Sequence, residues 1–239
     1  HVSYGYEGRA RALQDVSLTI PKGSVVALVG LSGCGKSTTA SLLMHFCDAA
    51  AGHIYMDGKD YHSMKPEELR KHIAMVPQQV NLFSGTIREN LLLADPDADD
   101  QTLMEAVKEA GLLKFVQSLE KGLNSDVGNA GASLSGGQRQ KIGIARALLS
   151  KAEYMIFDEA TSSVDPESEK EIWETIGHLA HTRTLIIISH RMSSVRGADC
   201  IYVLKDGRVA QQGDHETLMA QDGLYHELVI RQQAMEVAE

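Results

Sequence analysis

Residues 30–37 read Gly-Leu-Ser-Gly-Cys-Gly-Lys-Ser, and this stretch decides the fold. It matches G-x-x-x-x-G-K-[ST], the pattern of a loop that wraps around phosphate groups. A nearly continuous apolar run at residues 24–29 precedes it, as expected for a strand buried on both faces. Helical spacing of apolar residues follows at 37–46. A strand, a glycine-rich loop and a helix in this order predict a phosphate-binding α/β fold.

The loop offers several kinds of contact to a nucleotide. Its glycines let backbone N–H groups approach an anion, and the start of the next helix favours negative charge. The Lys36 ammonium can reach the β- and γ-phosphates, the Ser37 hydroxyl can ligate Mg²⁺, and Thr38 is expected to donate to the α-phosphate. A glycine turn that only caps a helix is the alternative, and the combined motif and context disfavour it. The predicted nucleotide contacts are Gly30, Ser32, Gly33, Cys34, Gly35, Lys36, Ser37 and Thr38.

Polar groups follow two further apolar runs. Asp158 and Glu159 come after the run at 153–157, and ligands of such sheets bind beyond the carboxyl ends of the strands. Asp158 is predicted to hold Mg²⁺ through its water shell. Glu159 is predicted to polarise the attacking water as a general base. The run at 184–189 ends at His190, which we expect to contact the γ-phosphate and to hold that water together with Glu159.

A second anion site is indicated at residues 134–138, which read Leu-Ser-Gly-Gly-Gln. A hydroxyl and two glycine amides lie at the start of a predicted helix, where the helix dipole favours negative charge. Because the phosphate loop already serves one nucleotide, this segment is predicted to serve a nucleotide held by another subunit. The expected contacts are Ser135, Gly136, Gly137 and Gln138.

Composition excludes several functions. The 239 residues are 43% hydrophobic and 23% charged, as in globular proteins. The 32 acidic residues exceed the 23 Lys and Arg, which disfavours nucleic acid as a partner. No apolar run approaches the roughly 20 residues that cross a bilayer.

The cysteines, at 34, 47 and 200, lack the spacing of a zinc site or a disulfide framework, so a reducing compartment is expected. Because the chain opens at His1 in a strand-like stretch, we expect a piece of a longer protein.

Strands alternate with helices along most of the chain, which predicts a parallel α/β sheet. Residues 79–146 carry helical patterns and no evident strand, so they are interpreted as a helical insertion. A turn is expected at Glu7 and Gly8. Strands are predicted at 2–6, 13–20, 24–29, 53–56, 72–76, 153–157, 184–188, 201–204 and 208–210. Helices are predicted at 37–46, 103–110, 112–119, 138–149, 167–179, 215–219 and 224–233.

Taken in this order, Lys36, residues 134–138, Asp158-Glu159 and His190 resemble the ATP-binding cassette (ABC) family, and the resemblance covers nearly the whole chain. It implies a P-loop NTPase (RecA-like) α/β core with an N-terminal antiparallel β-subdomain and an inserted α-helical subdomain. The implied division places the ATP-binding core at residues 1–78 and 147–239 and the helical signature subdomain at 79–146.

The resemblance also assigns roles to further residues. Tyr6 corresponds to the aromatic residue that stacks on adenine, with Tyr4 as the alternative. Gln78 matches the glutamine that ligates Mg²⁺ and joins the core to the helical subdomain, and residues 162–165 match the loop that crosses the dimer interface. The implied cofactors are ATP and Mg²⁺. The implied catalytic residues are Glu159, His190, Lys36 and Gln78, and the implied metal ligands are Ser37, Gln78 and Asp158.

Residues 83–90 (Phe-Ser-Gly-Thr-Ile-Arg-Glu-Asn) resemble exporter-type cassettes, which are fused to a six-helix membrane domain. This implies two cassettes packed head to tail around two ATP, as a homodimer or heterodimer. It also implies a transmembrane domain fused N-terminally and a place at the cytoplasmic face of the membrane. Family members usually carry glutamate near 126 and at 129, where this chain has Asp126 and Asn129. Residues 125–131 lie where exporters carry a loop that touches membrane-domain helices, so the departure concerns that loop and not the ATPase positions.

Two other functions remain open at this point. A soluble cassette ATPase without a membrane partner is disfavoured, since such proteins usually carry two cassettes or a long inserted coiled coil, and this sequence shows neither. A binding module whose assembly is regulated by nucleotide is disfavoured by the presence of both Glu159 and His190. The leading hypothesis is the ATPase domain of a membrane exporter.

Overall fold

A six-stranded sheet forms the centre of the computed structural model, which describes residues 1–6, 11–162 and 164–236. The turn expected at Glu7 and Gly8, and Ser163 of the 162–165 segment, lie outside these residues. The strands are β1 (Val2–Gly5), β2 (Arg11–Val16), β3 (Val25–Val29), β4 (Tyr55–Met56), β5 (Lys59–Asp60), β6 (Ile73–Val76), β7 (Tyr154–Asp158), β8 (Thr184–Ile188), β9 (Cys200–Lys205) and β10 (Arg208–Gly213).

Helices cover the sheet and fill the segment between β6 and β7. The α-helices are α1 (Lys36–Leu43), α2 (Pro66–Leu69), α3 (Ile87–Leu92), α4 (Asp100–Glu109), α5 (Leu113–Ser118), α6 (Gly136–Leu149), α7 (Pro166–Leu179), α8 (His215–Met219) and α9 (Leu224–Glu236). Short 3-10 turns occur at Tyr61–Ser63, Gly122–Asn124, Asn129–Gly131 and Met192–Val195. Within the described residues, no helix is both long and apolar enough to cross a bilayer.

The strand order of the main sheet is β10-β9-β3-β8-β7-β6. Its strands run parallel except β10, which pairs with β9 in antiparallel fashion. Strands β1 and β2 form a separate antiparallel pair, and β4 and β5 form a small hairpin. The predicted parallel α/β sheet is confirmed.

Burial on both faces explains the apolar run of β3. Val25, Ala27 and Val29 pack into the larger core, which also contains residues of α6 and α7. The alternate residues Val26 and Leu28 pack on the other face, in a core shared with α1. Successive side chains of a strand point to opposite faces, so only a strand covered on both sides is apolar throughout.

The strand predicted at 13–20 is wrong in its second half. Strand β2 ends at Val16, after Asp15 has entered the left-handed region at φ 57° and the pairing with β1 has shifted register. Beyond it, the backbone of Thr19 exchanges hydrogen bonds with the Tyr202 hydroxyl, at 2.9 and 3.0 Å. A side chain thus satisfies polar groups that a strand ladder would otherwise have to pair.

Two other elements are shorter than predicted. Of residues 53–56, only Tyr55–Met56 forms a strand, because the partner strand β5 has two residues and pairs with these two alone. Helix α1 ends at Leu43 rather than at residue 46, because His45 adopts a left-handed conformation at φ 52°. An Asp57-Gly58 turn follows the strand, whereas the left-handed residue that follows the helix, His45, has no glycine or proline beside it.

The segment between β6 and β7 contains α3 to α6, and its described residues include no named strand. Helix α6 runs without interruption from Gly136 to Leu149, so the proposed subdomain boundary at residue 146 falls inside a continuous helix. The assignment of residues 79–146 to a helical subdomain stays a prediction.

Gly143 lets α6 approach the chain that follows β6. A Cβ at this position would lie 2.5 Å from Cγ2 of Val80, whose branched side chain has little freedom to move. We expect Gly143→Ala to lower the free energy of unfolding by about 1 kcal/mol or more, since overpacking outweighs the better helix propensity of alanine. Urea denaturation measures the change.

Gly177 of α7 is the matched control, because it is also a helical glycine but a Cβ there would meet nothing within 4 Å. Gly177→Ala should raise the free energy of unfolding by about 0.5–1 kcal/mol. Equal effects of the two substitutions would contradict the proposed close approach at Gly143.

Candidate active site

The carboxyl ends of three adjacent strands converge at one edge of the sheet. Ile188 of β8 pairs with Leu28 of β3 on one side and with Asp158 of β7 on the other. The phosphate loop follows β3, Glu159 follows β7 and His190 lies two residues beyond β8. This register therefore brings together three of the motifs that the sequence analysis singled out.

The phosphate loop opens directly into α1. Gly35 precedes the helix at φ 110°, and a Cβ there would lie 2.8 Å from the carbonyl oxygen of Ala12. Among the residues that the structure describes, no side chain caps the N-terminus of α1. Its first N–H groups, together with the helix dipole, are therefore available to an anion such as a phosphate.

Lys36 turns back into its own loop. Its Nζ donates hydrogen bonds to the carbonyl oxygens of Gly30 (2.8 Å) and Leu31 (3.1 Å), and the side chain is buried. Cys34 is also buried, with its Sγ 3.8 Å from Nζ. The ammonium must exchange these carbonyls for phosphate oxygens if it is to contact a nucleotide. Ser32, Gly33 and Ser37 are exposed on the same loop.

Asp158 carries a buried carboxylate oxygen that is not matched by a donor. Its Oδ1 has no hydrogen-bond partner among the described residues. Burial raises the pKa of Asp158, Glu159 raises it further, and Lys36 opposes both effects. A buried acceptor without a donor is costly. A divalent cation or its water shell would supply what this oxygen lacks, so the residues present fit Mg²⁺.

Glu159 and His190 lie side by side. His190 Nδ1 is 3.5 Å from Glu159 Oε1, and both side chains are accessible to solvent, 52% for the histidine and 23% for the glutamate. Glu159 occupies the left-handed region at φ 48°, which is strained for a residue with a side chain. Its N–H donates to Ile188 O at 2.8 Å, which fixes the strained residue to the end of β8.

Gln78 is exposed and donates from Nε2 to Ser162 Oγ at 3.0 Å. Ser162 lies in the 162–165 segment, and Asp165 at the end of that segment caps α7 by accepting from the Ser168 N–H at 2.9 Å. Gln78 thus contacts the loop that follows the two carboxylates, and its role as a metal ligand stays a prediction.

Ser135 caps α6 through a reciprocal pair of hydrogen bonds. Its Oγ accepts from Gln138 N (3.2 Å), and Gln138 Oε1 accepts from Ser135 N (2.9 Å). Ser135 is exposed, Gly136 is half-buried and Gly137 is buried. The segment predicted to serve a second nucleotide therefore lies at the surface with its hydroxyl outside the core.

Tyr6 lies beside the first turn of α1. Its hydroxyl forms a 3.3 Å hydrogen bond with Oγ1 of Thr38, and its ring meets Tyr4 edge-on at 5.1 Å. Tyr6 is 44% exposed, whereas Tyr4 packs against a small core of Leu13, Val16 and Leu42. Of the two candidate aromatic residues, Tyr6 is the one that presents an open ring next to the phosphate loop.

Glu169 of α7 was missed by sequence reasoning. Its Oε1 accepts from Thr161 Oγ1 (3.0 Å) and Trp173 Nε1 (3.4 Å), and its Oε2 pairs with Arg191. Thr161 follows Glu159 by two residues and Arg191 follows His190, so one side chain ties both loops to α7. The i, i+4 spacing to Trp173 is visible in the sequence, but the long-range partners are not.

A family model described as ABC transporter matches residues 13–162, which include the phosphate loop and the two carboxylates. The chain belongs to the ABC transporter family. The predicted family and the predicted enzyme class, an ATPase, are confirmed by this match.

Transport proteins from distant organisms are similar to this ABC domain. It is 43% identical to the sophorolipid transporter of Starmerella bombicola (96% of this chain, 18% of that protein). It is 42% identical to the ATP-dependent lipid A-core flippase 1 of Colwellia psychrerythraea (91% and 36%). Identity to the mitochondrial potassium channel ATP-binding subunit of Homo sapiens is 44% (97% and 32%).

A solved bacterial Atm1-family ABC exporter with ATP bound superposes with a TM-score of 0.91 at 39% identity, over 97% of this chain and 40% of that one. The likeness confirms the predicted P-loop α/β fold and identifies the chain as an exporter-type nucleotide-binding domain. The chain spans between 18% and 40% of the length of these four proteins.

Asp158→Asn is expected to stabilise the nucleotide-free domain, although it removes a predicted ligand of Mg²⁺. The substitution removes a buried charge, so the free energy of unfolding at neutral pH should rise by about 1 kcal/mol. The gain should shrink as the pH falls, because the parent carboxyl, whose pKa is raised, then takes up a proton and escapes the same penalty. Urea denaturation across a pH series measures both effects.

Asp214→Asn serves as the control. Asp214 caps α8, and the hydrogen bond from the Thr217 N–H lowers the pKa of its carboxyl. Asparagine is an equally good cap, so stability should be unchanged or slightly reduced. A loss of stability in Asp158→Asn would contradict the unmatched buried charge.

Proposed function

We propose that this domain hydrolyses ATP while paired head to tail with a second ABC domain, and that the cycle drives export through a membrane domain. The observation that carries the proposal is that two different elements carry the phosphate-binding chemistry. Lys36, Asp158, Glu159 and His190 follow the ends of β3, β7 and β8, whereas Ser135 is an exposed residue at the N-terminus of α6. We assign each set to one half of a composite site.

The phosphate loop and the N-terminus of α1 bind the phosphates. The uncapped N-terminus of α1 receives the phosphates, and Lys36 exchanges its loop carbonyls for phosphate oxygens. The open ring of Tyr6 stacks on the adenine, while its contact with Thr38 keeps it beside the phosphates.

Glu159 acts as the general base. Its carboxylate takes the proton of the attacking water, and His190, 3.5 Å away, keeps that water and the terminal phosphate in line. Ser37, Gln78 and Asp158 hold Mg²⁺, which when bound neutralises charge on the phosphates. Gln78 is therefore expected to leave Ser162 when it reaches the cation.

The partner domain completes each site from its Ser135 segment. The hydroxyl of Ser135 and the amides at the start of α6 face the terminal phosphate of the ATP held by the other copy. ATP thus favours the paired state because only its terminal phosphate contacts both copies. The present features are compatible with a homodimer or a heterodimer.

A membrane domain is proposed to dock near residues 83–93, where Phe83 and Leu93 are 65% and 57% exposed. Arg146 of α6 holds this region, donating to the carbonyl oxygens of Asn90 (2.8 Å) and Asn81 (2.7 Å). Arg146 lies 11 residues beyond Ser135, about 16 Å along one helix. Helix α6 is therefore suited to link membrane-domain movement to the nucleotide. The site of action is the cytoplasmic face of the membrane.

Glu159→Gln tests the catalytic assignment. The amide cannot take a proton from water, so phosphate release should fall about 10²–10⁴-fold while ATP still binds. The variant should sediment as a dimer with ATP and Mg²⁺ and as a monomer with ADP. Phosphate release and sedimentation velocity are the two measurements.

Glu174→Gln, an exposed residue of α7, is the matched control and should behave like the parent. Hydrolysis by Glu159→Gln at the parent rate would show that Glu159 is not the base. If Glu159→Gln loses hydrolysis as expected but forms no dimer with ATP, that result would contradict the composite site instead.

A further inference from the structure

Three potential metal ligands lie together at the base of the β4–β5 hairpin, and none of them has a role in the ATP site. The ligand atoms of His53, Asp60 and His62 all lie within 4.8 Å of one another. Asp60 connects the histidines, with Oδ2 2.7 Å from Nδ1 of His53 and Oδ1 3.0 Å from Nδ1 of His62.

The backbone holds these stretches together independently of the three side chains. Tyr61, between two of the ligands, is buried; its N–H donates to Ile54 O at 2.9 Å and its hydroxyl to Leu43 O at 3.1 Å. Ile54 adjoins His53, and the Tyr55 ring stacks against that imidazole at 6.0 Å. The ligands therefore sit on a fixed framework, as a binding site requires.

The donor set determines which ion would fit. Two imidazole nitrogens and one carboxylate suit borderline divalent ions such as Zn²⁺ and Co²⁺, whereas Mg²⁺ prefers oxygen ligands alone. Bonds of about 2.1 Å at a tetrahedral angle place two ligand atoms about 3.4 Å apart, so small side-chain rotations suffice here. The backbone N–H of His62 donates to Asp60 Oδ1 at 2.9 Å, which orients the carboxylate between the two imidazoles.

Exposure leaves the cluster accessible. The side chains of His53 and His62 are 61% and 54% exposed, and that of Asp60 is 26% exposed. An ion can therefore enter from solvent and retain a water molecule as its fourth ligand.

We propose that His53, Asp60 and His62 form a binding site for one borderline divalent metal ion, with Zn²⁺ as the type case. The ion takes the place of the proton between each Nδ1 and Asp60, and each neutral imidazole then carries its one proton on Nε2. It cross-links the chain before the hairpin to the turn after it, and so fastens Tyr61 against the end of α1. Binding should therefore raise the thermal unfolding midpoint as well as occupy the site.

The test is a titration of the tag-free chain with Co²⁺ and with Zn²⁺ at neutral pH, without nucleotide and with excess Mg²⁺ to fill all-oxygen sites. We expect one ion per chain, with visible d–d absorption for Co²⁺. Loss of a group that only hydrogen-bonds to a metal ligand costs about 10-fold in metal affinity, so His53→Gln and His62→Gln, which each remove a ligand, should weaken binding at least that much.

Two further variants control the result. His181 has a single carboxylate neighbour, Asp199 at 4.0 Å, so His181→Gln should bind like the parent. His62→Cys retains a ligand and should keep Co²⁺ binding while adding a thiolate-to-metal charge-transfer band that the parent lacks. The proposal is overturned if the parent binds no ion, if His53→Gln and His62→Gln bind as tightly as the parent, or if His62→Cys binds Co²⁺ without that band.

Discussion

The register of three central strands is the constraint on which the rest of the structure depends. Ile188 pairs with Leu28 and with Asp158, so the ends of β3, β7 and β8 are level at one edge. Close packing on both faces favours this register, since a shift by one residue would move every side chain into the opposite core, where its neighbours differ. The phosphate loop, the carboxylates and His190 meet because apolar packing far from the site aligns the strands that precede them.

The site itself is built from groups that the fold leaves unsatisfied. Within the described part of the chain, helix α1 begins without a side-chain cap and Asp158 has a buried oxygen without a donor, while Glu159 is held at positive φ. Each feature costs stability, and each would be relieved or used when phosphate and cation bind. Lys36 differs from these groups, since loop carbonyls already satisfy its ammonium and would have to be exchanged for phosphate oxygens.

Apolar periodicity and short motifs in the sequence predicted the elements whose structure depends mainly on local sequence. The buried strands and the long helices α6 and α7 follow from apolar periodicity, and the loop of residues 30–37 follows from its motif. Strand β2 was misjudged because Asp15 and the Tyr202 hydroxyl end it, and neither leaves a local signal. The contacts of Glu169 and the meeting of His53 with Asp60 and His62 also depend on tertiary packing. Residue types alone indicate which chemistry is available, and the fold determines which groups meet.

The central claim is that one chain holds only half of each ATP site, with Lys36 and Glu159 on one copy and Ser135 on the other. The most direct measurement is phosphate release per chain at saturating ATP and Mg²⁺ over a wide range of chain concentrations. A composite site predicts a rate per chain that rises with concentration until the paired state is saturated. A rate per chain that stays constant on dilution to the point where the chain sediments as a monomer would contradict it.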